Sequence, residues 1–187
     1  MGVNLSEKKG QGLSPTEFVE NMTRNQEQLQ QWYNQFTWPD ENSRTFFANC
    51  RVPGIRCVII AADWCGDVVR NVPVVFRLME AAGIPTEVLI MEDHLDTMDQ
   101  FLTLGGRSIP VVLFLDAEGG VVGRWGPRPT YVQEPMVAFK AANPDREAPD
   151  YQDNLAVARQ EIMRRYGTDT SYQRLIVEEV KDILQGI

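Results

Sequence analysis

The sequence predicts an α/β protein in which helices flank a central, mixed four-stranded sheet. Three observations predict this fold. The continuous apolar run 57–62 is typical of a buried strand, and helical periodicity follows it over 66–82. A second strand-like run lies at 86–91, and two more, 111–116 and 121–125, flank a glycine-rich turn as in a β-hairpin. The first two strands, joined through a helix, should therefore be parallel and the last two antiparallel.

The segment before the sheet is predicted to be helical. The motif Ser-Pro-Thr-Glu at 14–17 suits a helix start, because its serine can cap, its proline fits the first position and its glutamate completes a capping box. Apolar residues then recur at roughly helical spacing, and the helix should end before Trp38-Pro39. Ser43 is a candidate cap for a short second helix.

Glycine and proline mark the ends of the later helices. Gly83 is a natural stop for the helix that follows the first strand, and Gly105-Gly106 should end a short helix over 95–104. A polar, proline-flanked linker covers 143–150. Apolar periodicity predicts three more helices, over 131–142, 151–166 and 172–184.

These elements divide the chain into three parts. Residues 1–42 are predicted to form a helical extension packed on the core, residues 43–142 the core itself, and residues 143–187 a C-terminal helical extension. A chain of 187 residues is long enough for one domain with a sizeable core.

The charge balance excludes several kinds of partner. A net charge of -8 disfavours nucleic acid, because the phosphate backbone needs Lys and Arg, and it also disfavours docking on an anionic membrane. No apolar run is long enough to span a bilayer. We therefore expect no nucleic-acid and no membrane partner.

Cysteine usage bounds the compartment and the cofactors. Three cysteines, an odd number, argue against a disulfide framework and fit a reducing compartment. The N-terminal segment up to Ser14 is polar and lacks an apolar signal core. One histidine and three scattered cysteines leave no spacing typical of a zinc site. We expect a cytoplasmic protein without a metal or a cofactor.

Cys65 is the leading candidate for a functional residue. It lies between the first strand and the following helix, where the carboxyl edge of a parallel sheet usually carries the site of an α/β protein. Unpaired amides at the helix start should lower the pKa of its thiol, whereas a nearby Asp67 carboxylate would raise it. The alternative interpretation is a buried, inert cysteine that fills space.

Neither of the other cysteines is expected to pair with Cys65. Cys57 lies in the same strand, and five extended steps already separate it by roughly 16 Å, whereas a disulfide needs Cα atoms within about 7 Å. Cys57 should therefore belong to the core. Cys50 precedes the strand and is expected at the opposite end of the sheet.

The motif around Cys65 resembles that of the thioredoxin fold family. Asp-Trp-Cys-Gly-Asp-Val at 63–68 is similar to the thioredoxin motif Trp-Cys-Gly-Pro-Cys, and Pro73 falls where that family has a helix-kinking proline. Arg-Ser-Ile-Pro-Val at 107–111 resembles the segment with the family's cis-proline. The resemblance covers about residues 50–142 and extends more narrowly to bacterial thioredoxin-like proteins of uncertain function that often lack the second cysteine.

The resemblance implies a set of site residues. Cys65 would be the catalytic thiol, and Pro110 would be the cis-proline that faces it. Ile109 would present its backbone to an extended substrate segment. Trp64, Gly66 and Asp67 complete the expected substrate-binding residues, although Asp67 also suits a plain helix start.

Two departures from the family pattern remove dithiol chemistry. Val68 stands where the family has the resolving cysteine, and Asp67 replaces the family's proline. Ile59 stands in place of the buried acid that accepts a proton when the second thiol attacks. In the family, the resolving cysteine and the buried acid act in the same step, so the absence of both is consistent.

Three functions remain open. In the first, a thiol oxidoreductase acts through Cys65 alone, by mixed-disulfide chemistry with a protein or low-molecular-weight thiol or disulfide as its partner. In the second, the fold is a non-catalytic binding or scaffold module. In the third, Cys65 is a thiol redox sensor. The sequence leaves the oligomeric state open.

Overall fold

The computed structural model describes residues 2–187, so the first residue of the predicted N-terminal extension lies outside the described part. Four strands form one mixed sheet in the order β2-β1-β3-β4. The strands are β1 (Arg56–Ala61), β2 (Thr86–Ile90), β3 (Val111–Leu115) and β4 (Val121–Trp125). The predicted α/β class and the four-stranded mixed sheet are confirmed.

The pairing of the strands places the candidate site. β1 runs parallel to β2 and antiparallel to β3, with Ile59 opposite Val88 on one side and Val112 on the other. β3 and β4 form the predicted antiparallel hairpin. Because β1 and β3 are antiparallel neighbours, the carboxyl end of β1 and the amino end of β3 lie at the same edge of the sheet.

Eight α-helices flank the sheet in residues 2–187. The helices after β4 fall within a residue of the predicted ones, and the helix after β1 ends at Gly83 as predicted. The helices are α1 (Pro15–Asn21), α2 (Gln26–Asn34), α3 (Glu41–Asn49), α4 (Gly66–Ala82), α5 (Leu95–Met98), α6 (Thr130–Ala142), α7 (Tyr151–Tyr166) and α8 (Gln173–Gln185).

The single helix predicted after Ser14 is wrong, because the chain breaks it into α1 and α2. The predicted capping box is present: Ser14 accepts from the amide of Glu17, whose side chain accepts from the amide of Ser14. The break follows from Asp63, whose carboxylate accepts hydrogen bonds from the backbone amides of Thr23 and Arg24 at 2.8 and 3.0 Å. Those amides are thereby drawn to the turn after β1 instead of continuing a helix.

Two smaller predictions are also wrong. The cap of α3 is Asp40, which accepts from the Ser43 amide at 2.8 Å, so Ser43 lies inside the first turn. The helix predicted over 95–104 ends at Met98, and Thr103 and Gly106 instead pair their backbones in a tight turn.

One apolar cluster joins the sheet to helices from both ends of the chain. β1 and β3 lie at its centre, with every residue of β3 fully buried. Leu29 of α2 and Ile176 of α8 belong to the same cluster and are 1% and 0% exposed. Within residues 2–187, no helix has both the length and the apolar character that crossing a membrane requires.

Candidate functional site

Cys65 lies at the edge of the sheet where β1 ends. It is the N-cap residue of α4 and is partly exposed. Its thiol donates a hydrogen bond to the carbonyl oxygen of Ile109, with 3.5 Å between Sγ and O. The next peptide bond, Ile109–Pro110, is cis and leads directly into β3. The structure therefore brings together the two segments that the sequence singled out.

Burial dominates the electrostatics of this thiol. It raises the pKa of Cys65, and the Asp67 carboxylate raises it further. The amides of Val68 and Asp67 and the Arg128 guanidinium act in the opposite direction, and the pKa of Cys65 stays above its ordinary value. The amides at the helix start lower the pKa of Cys65, as expected. Partial burial raises it by more, because burial destabilises the charged thiolate more than these amides stabilise it.

The residues beside Cys65 differ in what they offer a ligand. Trp64 is 47% exposed, and its indole N–H donates to Glu92 Oε1 at 2.7 Å, which fixes the ring at the surface. A Cβ atom built on Gly66 would contact nothing within 4 Å, so the surface there is open. Ile109 is only 3% exposed. Its backbone faces Cys65, whereas its side chain belongs to the core.

The Asp67 carboxylate is bound by residues that the sequence did not indicate. Arg128 donates from Nε to Oδ1 at 2.9 Å, and one of its terminal nitrogens forms an ion pair with Oδ2 at 2.6 Å. The Tyr166 hydroxyl donates to Oδ1 at 2.8 Å. Arg128 and Tyr166 lie 61 and 99 residues after Asp67 in the chain, so no local sequence motif could have predicted these contacts.

The other two cysteines are buried. Cys57 is 0% exposed, and burial raises the pKa of its thiol to about 12. Cys50 is 8% exposed, and burial raises the pKa of its thiol as well. All three cysteines are free. Cys65 is thus the one cysteine of the three whose side chain is partly open to solvent.

The positions associated with dithiol chemistry are filled by core side chains. Val68, three residues after Cys65, and Ile59 in β1 are each 0% exposed. Pro73 lies inside α4 and is buried. In residues 2–187 no group of three or more His, Cys, Asp or Glu side chains is arranged to hold a metal ion.

The whole architecture has counterparts among solved structures. A crystal structure of a protein of unknown function from Pseudomonas aeruginosa is 19% identical, with a TM-score of 0.67 and 98% of each chain covered. An HIV epitope-scaffold is 18% identical, with a TM-score of 0.69 and 99% of each chain covered. At such identities the likeness concerns the fold alone, and it extends over almost the whole of each chain.

Sequence comparison identifies the family. No curated protein matches the chain. A family model described as thioredoxin matches residues 12–147, which is most of the chain and includes Cys65 and Pro110. With the strand order and the paired segments at the sheet edge, this match shows that the chain belongs to the thioredoxin family.

Proposed function

We propose that this thioredoxin-family protein acts as a thiol oxidoreductase through Cys65 alone, by forming a mixed disulfide with a protein or low-molecular-weight partner. The observation that carries the proposal is the placement of the Cys65 thiol, partly exposed and 3.5 Å from the Ile109 carbonyl oxygen. Cys50 and Cys57 are buried, so they offer no competing nucleophile. The same free cysteines agree with a reducing compartment, and we propose the cytoplasm.

The reaction is one thiol–disulfide exchange. The Cys65 thiol loses its proton to solvent, and the thiolate attacks one sulfur of a disulfide R–S–S–R′. A new S–S bond forms between Cys65 Sγ and the sulfur that carries R, the S–S bond of R–S–S–R′ breaks, and R′S⁻ leaves and takes up a proton. A second, external thiol then attacks the mixed disulfide and releases Cys65, because Val68 supplies no internal thiol.

The raised pKa of Cys65 should slow both steps of this exchange. At neutral pH it keeps the thiolate fraction small, so attack is slow. It also makes the Cys65 sulfur a poor leaving group, so the mixed disulfide persists. We therefore expect slow formation and slow release of an adduct rather than rapid turnover.

The proposed substrate surface lies between the two segments at the sheet edge. Trp64 offers an exposed aromatic face, Gly66 leaves open space, and the backbone of Ile109 and Pro110 borders the thiol. A substrate can approach there without displacing a bulky side chain.

A binding module without thiol turnover is the second candidate function, and the raised pKa of Cys65 is the observation that favours it. The N-terminal aromatics pack on the core: Trp32, Tyr33 and Trp38 are partly buried against it, and Phe36 is 7% exposed. We propose that a binding role would use the same surface beside Cys65.

The two candidates differ in what happens to glutathione disulfide. We expect incubation with it to add one glutathione to the protein by intact mass, at the Cys65 peptide and reversibly with a dithiol reductant. Cys65→Ser should abolish the adduct, and Cys50→Ser, the matched control at a buried thiol, should leave it. A wild-type protein that stays unmodified, with Cys65 still open to alkylation, would exclude exchange and favour the binding module.

A further inference from the structure

The Asp67 carboxylate is held more firmly than a helix-start residue needs. Its side chain is 17% exposed; it accepts one hydrogen bond from Arg128 and one from Tyr166, and Arg128 also forms an ion pair with its second oxygen. Arg128 is itself fixed, since its remaining terminal nitrogen donates to Gln133 Oε1 at 2.6 Å. The charge two residues after Cys65 therefore has one defined position.

Asn71 reinforces this arrangement one turn further along α4. It is 0% exposed, and its Nδ2 donates to the Tyr166 hydroxyl at 2.7 Å and to the Pro127 carbonyl at 3.0 Å. The Tyr166 hydroxyl thus accepts a hydrogen bond from Asn71 and donates its single O–H hydrogen bond to Asp67. Tyr166 ends α7 and is 1% exposed, so the C-terminal extension reaches the first turns of α4.

We propose that Arg128 and Tyr166 are positioning residues for Cys65: both hold the Asp67 carboxylate in one place near the thiol, and Arg128 also adds its own positive charge there. This inference rests on the proposed function for its biological meaning, but not for its test. It assigns to helix α7 and to the segment before α6 a role in setting how readily Cys65 reacts.

The charges around Cys65 give the direction of the effect. Asp67 disfavours the thiolate and Arg128 favours it, and Ala62 and Ile109, at the adjoining strand ends, carry no charge. Burial and the Asp67 charge raise the pKa of Tyr166 well above its usual value, so its hydroxyl keeps its proton and remains a donor. Removing either donor leaves the Asp67 charge less compensated, which disfavours the thiolate further.

The test is the pH profile of iodoacetamide alkylation at Cys65, followed on the Cys65 peptide by mass spectrometry. Tyr166→Phe and Arg128→Gln should each slow alkylation at neutral pH by roughly two- to tenfold, and Asp67→Asn should accelerate it by a similar factor. In the Asp67→Asn background, Tyr166→Phe should have no further effect, because the carboxylate through which it acts is gone.

Tyr172→Phe is the matched control. Tyr172 packs edge-on against Tyr166 and is 2% exposed, but its hydroxyl donates to the Arg70 carbonyl and not to Asp67. It should leave the pH profile unchanged. Equal effects of the two tyrosine variants, or equal slowing by Tyr166→Phe with and without Asp67, would overturn the positioning role.

The outcome is separable from that of the proposed function. Alkylation requires a reachable thiol but no disulfide partner, so the expected profile can be found even where glutathione disulfide gives no adduct. Failure of Cys65 to react with iodoacetamide at any pH in the folded protein would overturn this inference and the proposed exchange together.

Discussion

The backbone of Gly126 packs against the carbonyl oxygen of Pro110. A Cβ atom built on Gly126 would overlap that oxygen, and the residue has a φ of +105°, which side chains rarely adopt. Gly126 directly follows β4, and Pro110 directly precedes β3. The contact thus supports the segment whose Ile109 carbonyl accepts the hydrogen bond of Cys65.

Replacing Gly126 with alanine should therefore destabilise the protein and displace the segment at Pro110. We expect Gly126→Ala to reduce the free energy of unfolding by roughly 2–4 kcal/mol, from the overlap and the strained φ together. Chemical denaturation measures this loss. Gly106→Ala is the control, since its added Cβ would lie 3.7 Å from its nearest neighbour. Equal stability of Gly126→Ala and wild type would contradict the packing.

Asp63 should make the stability of the protein depend on acid pH. Burial raises the pKa of its carboxyl, but hydrogen bonds from Thr23 and Arg24 outweigh this, so the pKa lies below its ordinary value. The folded state then binds the proton less readily than the unfolded chain. The resulting stability is complete above the ordinary pKa of about 3.9 and is lost as the pH falls through the lowered value.

Asp63→Asn tests this dependence. At neutral pH we expect it to cost about 1–2 kcal/mol of unfolding free energy, because charged hydrogen bonds to two amides become neutral ones. The difference from wild type should shrink as the pH falls below 4. Asp93→Asn, at an exposed aspartate, should show no such trend. A difference that stays constant with pH would show that the carboxylate charge is not what binds the loop.

The features that local sequence predicted are those that a few neighbouring residues determine. The buried run of β1 and the capping box at Ser14 were both predicted and are present. The hydrogen bonds from Arg128 and Tyr166 to Asp67 were not predicted, because they join residues far apart in the chain. The direction of the pKa shift of Cys65 was not predicted either. Burial in the folded protein raises this pKa by more than the helix-start amides lower it, and no local motif indicates how deeply a residue is buried.

A second thiol at Val68 should convert the mixed disulfide from a lasting adduct into a transient one. Val68 is fully buried, and its amide is one of the groups that stabilise the Cys65 sulfur. In Val68→Cys, we expect the introduced thiol to attack the Cys65 adduct, form an internal disulfide and release glutathione. Intact mass over time would show glutathione lost without added reductant.

The control for this experiment is Val72→Cys, at an equally buried position one turn further along α4. It should keep the adduct as wild type does. Persistence of the adduct in Val68→Cys, with the protein folded, would mean that the introduced sulfur does not reach Cys65.

Leu104 occupies a backbone conformation that suits asparagine better. Its φ of +50° is followed by +74° at Gly105, and the flanking Thr103 and Gly106 exchange both backbone hydrogen bonds. Two left-handed residues in a tight turn favour Asn-Gly, and a leucine there costs about 1 kcal/mol of strain. The Leu104 side chain is 43% exposed, so its burial adds little stability to offset this strain. Leu104→Asn should therefore raise the unfolding free energy by about 0.5–1 kcal/mol in denaturant melts, whereas Leu102→Asn, similarly exposed but without the positive φ, should not. A loss of stability in Leu104→Asn would show that the leucine side chain contributes more to the fold than its backbone strain removes.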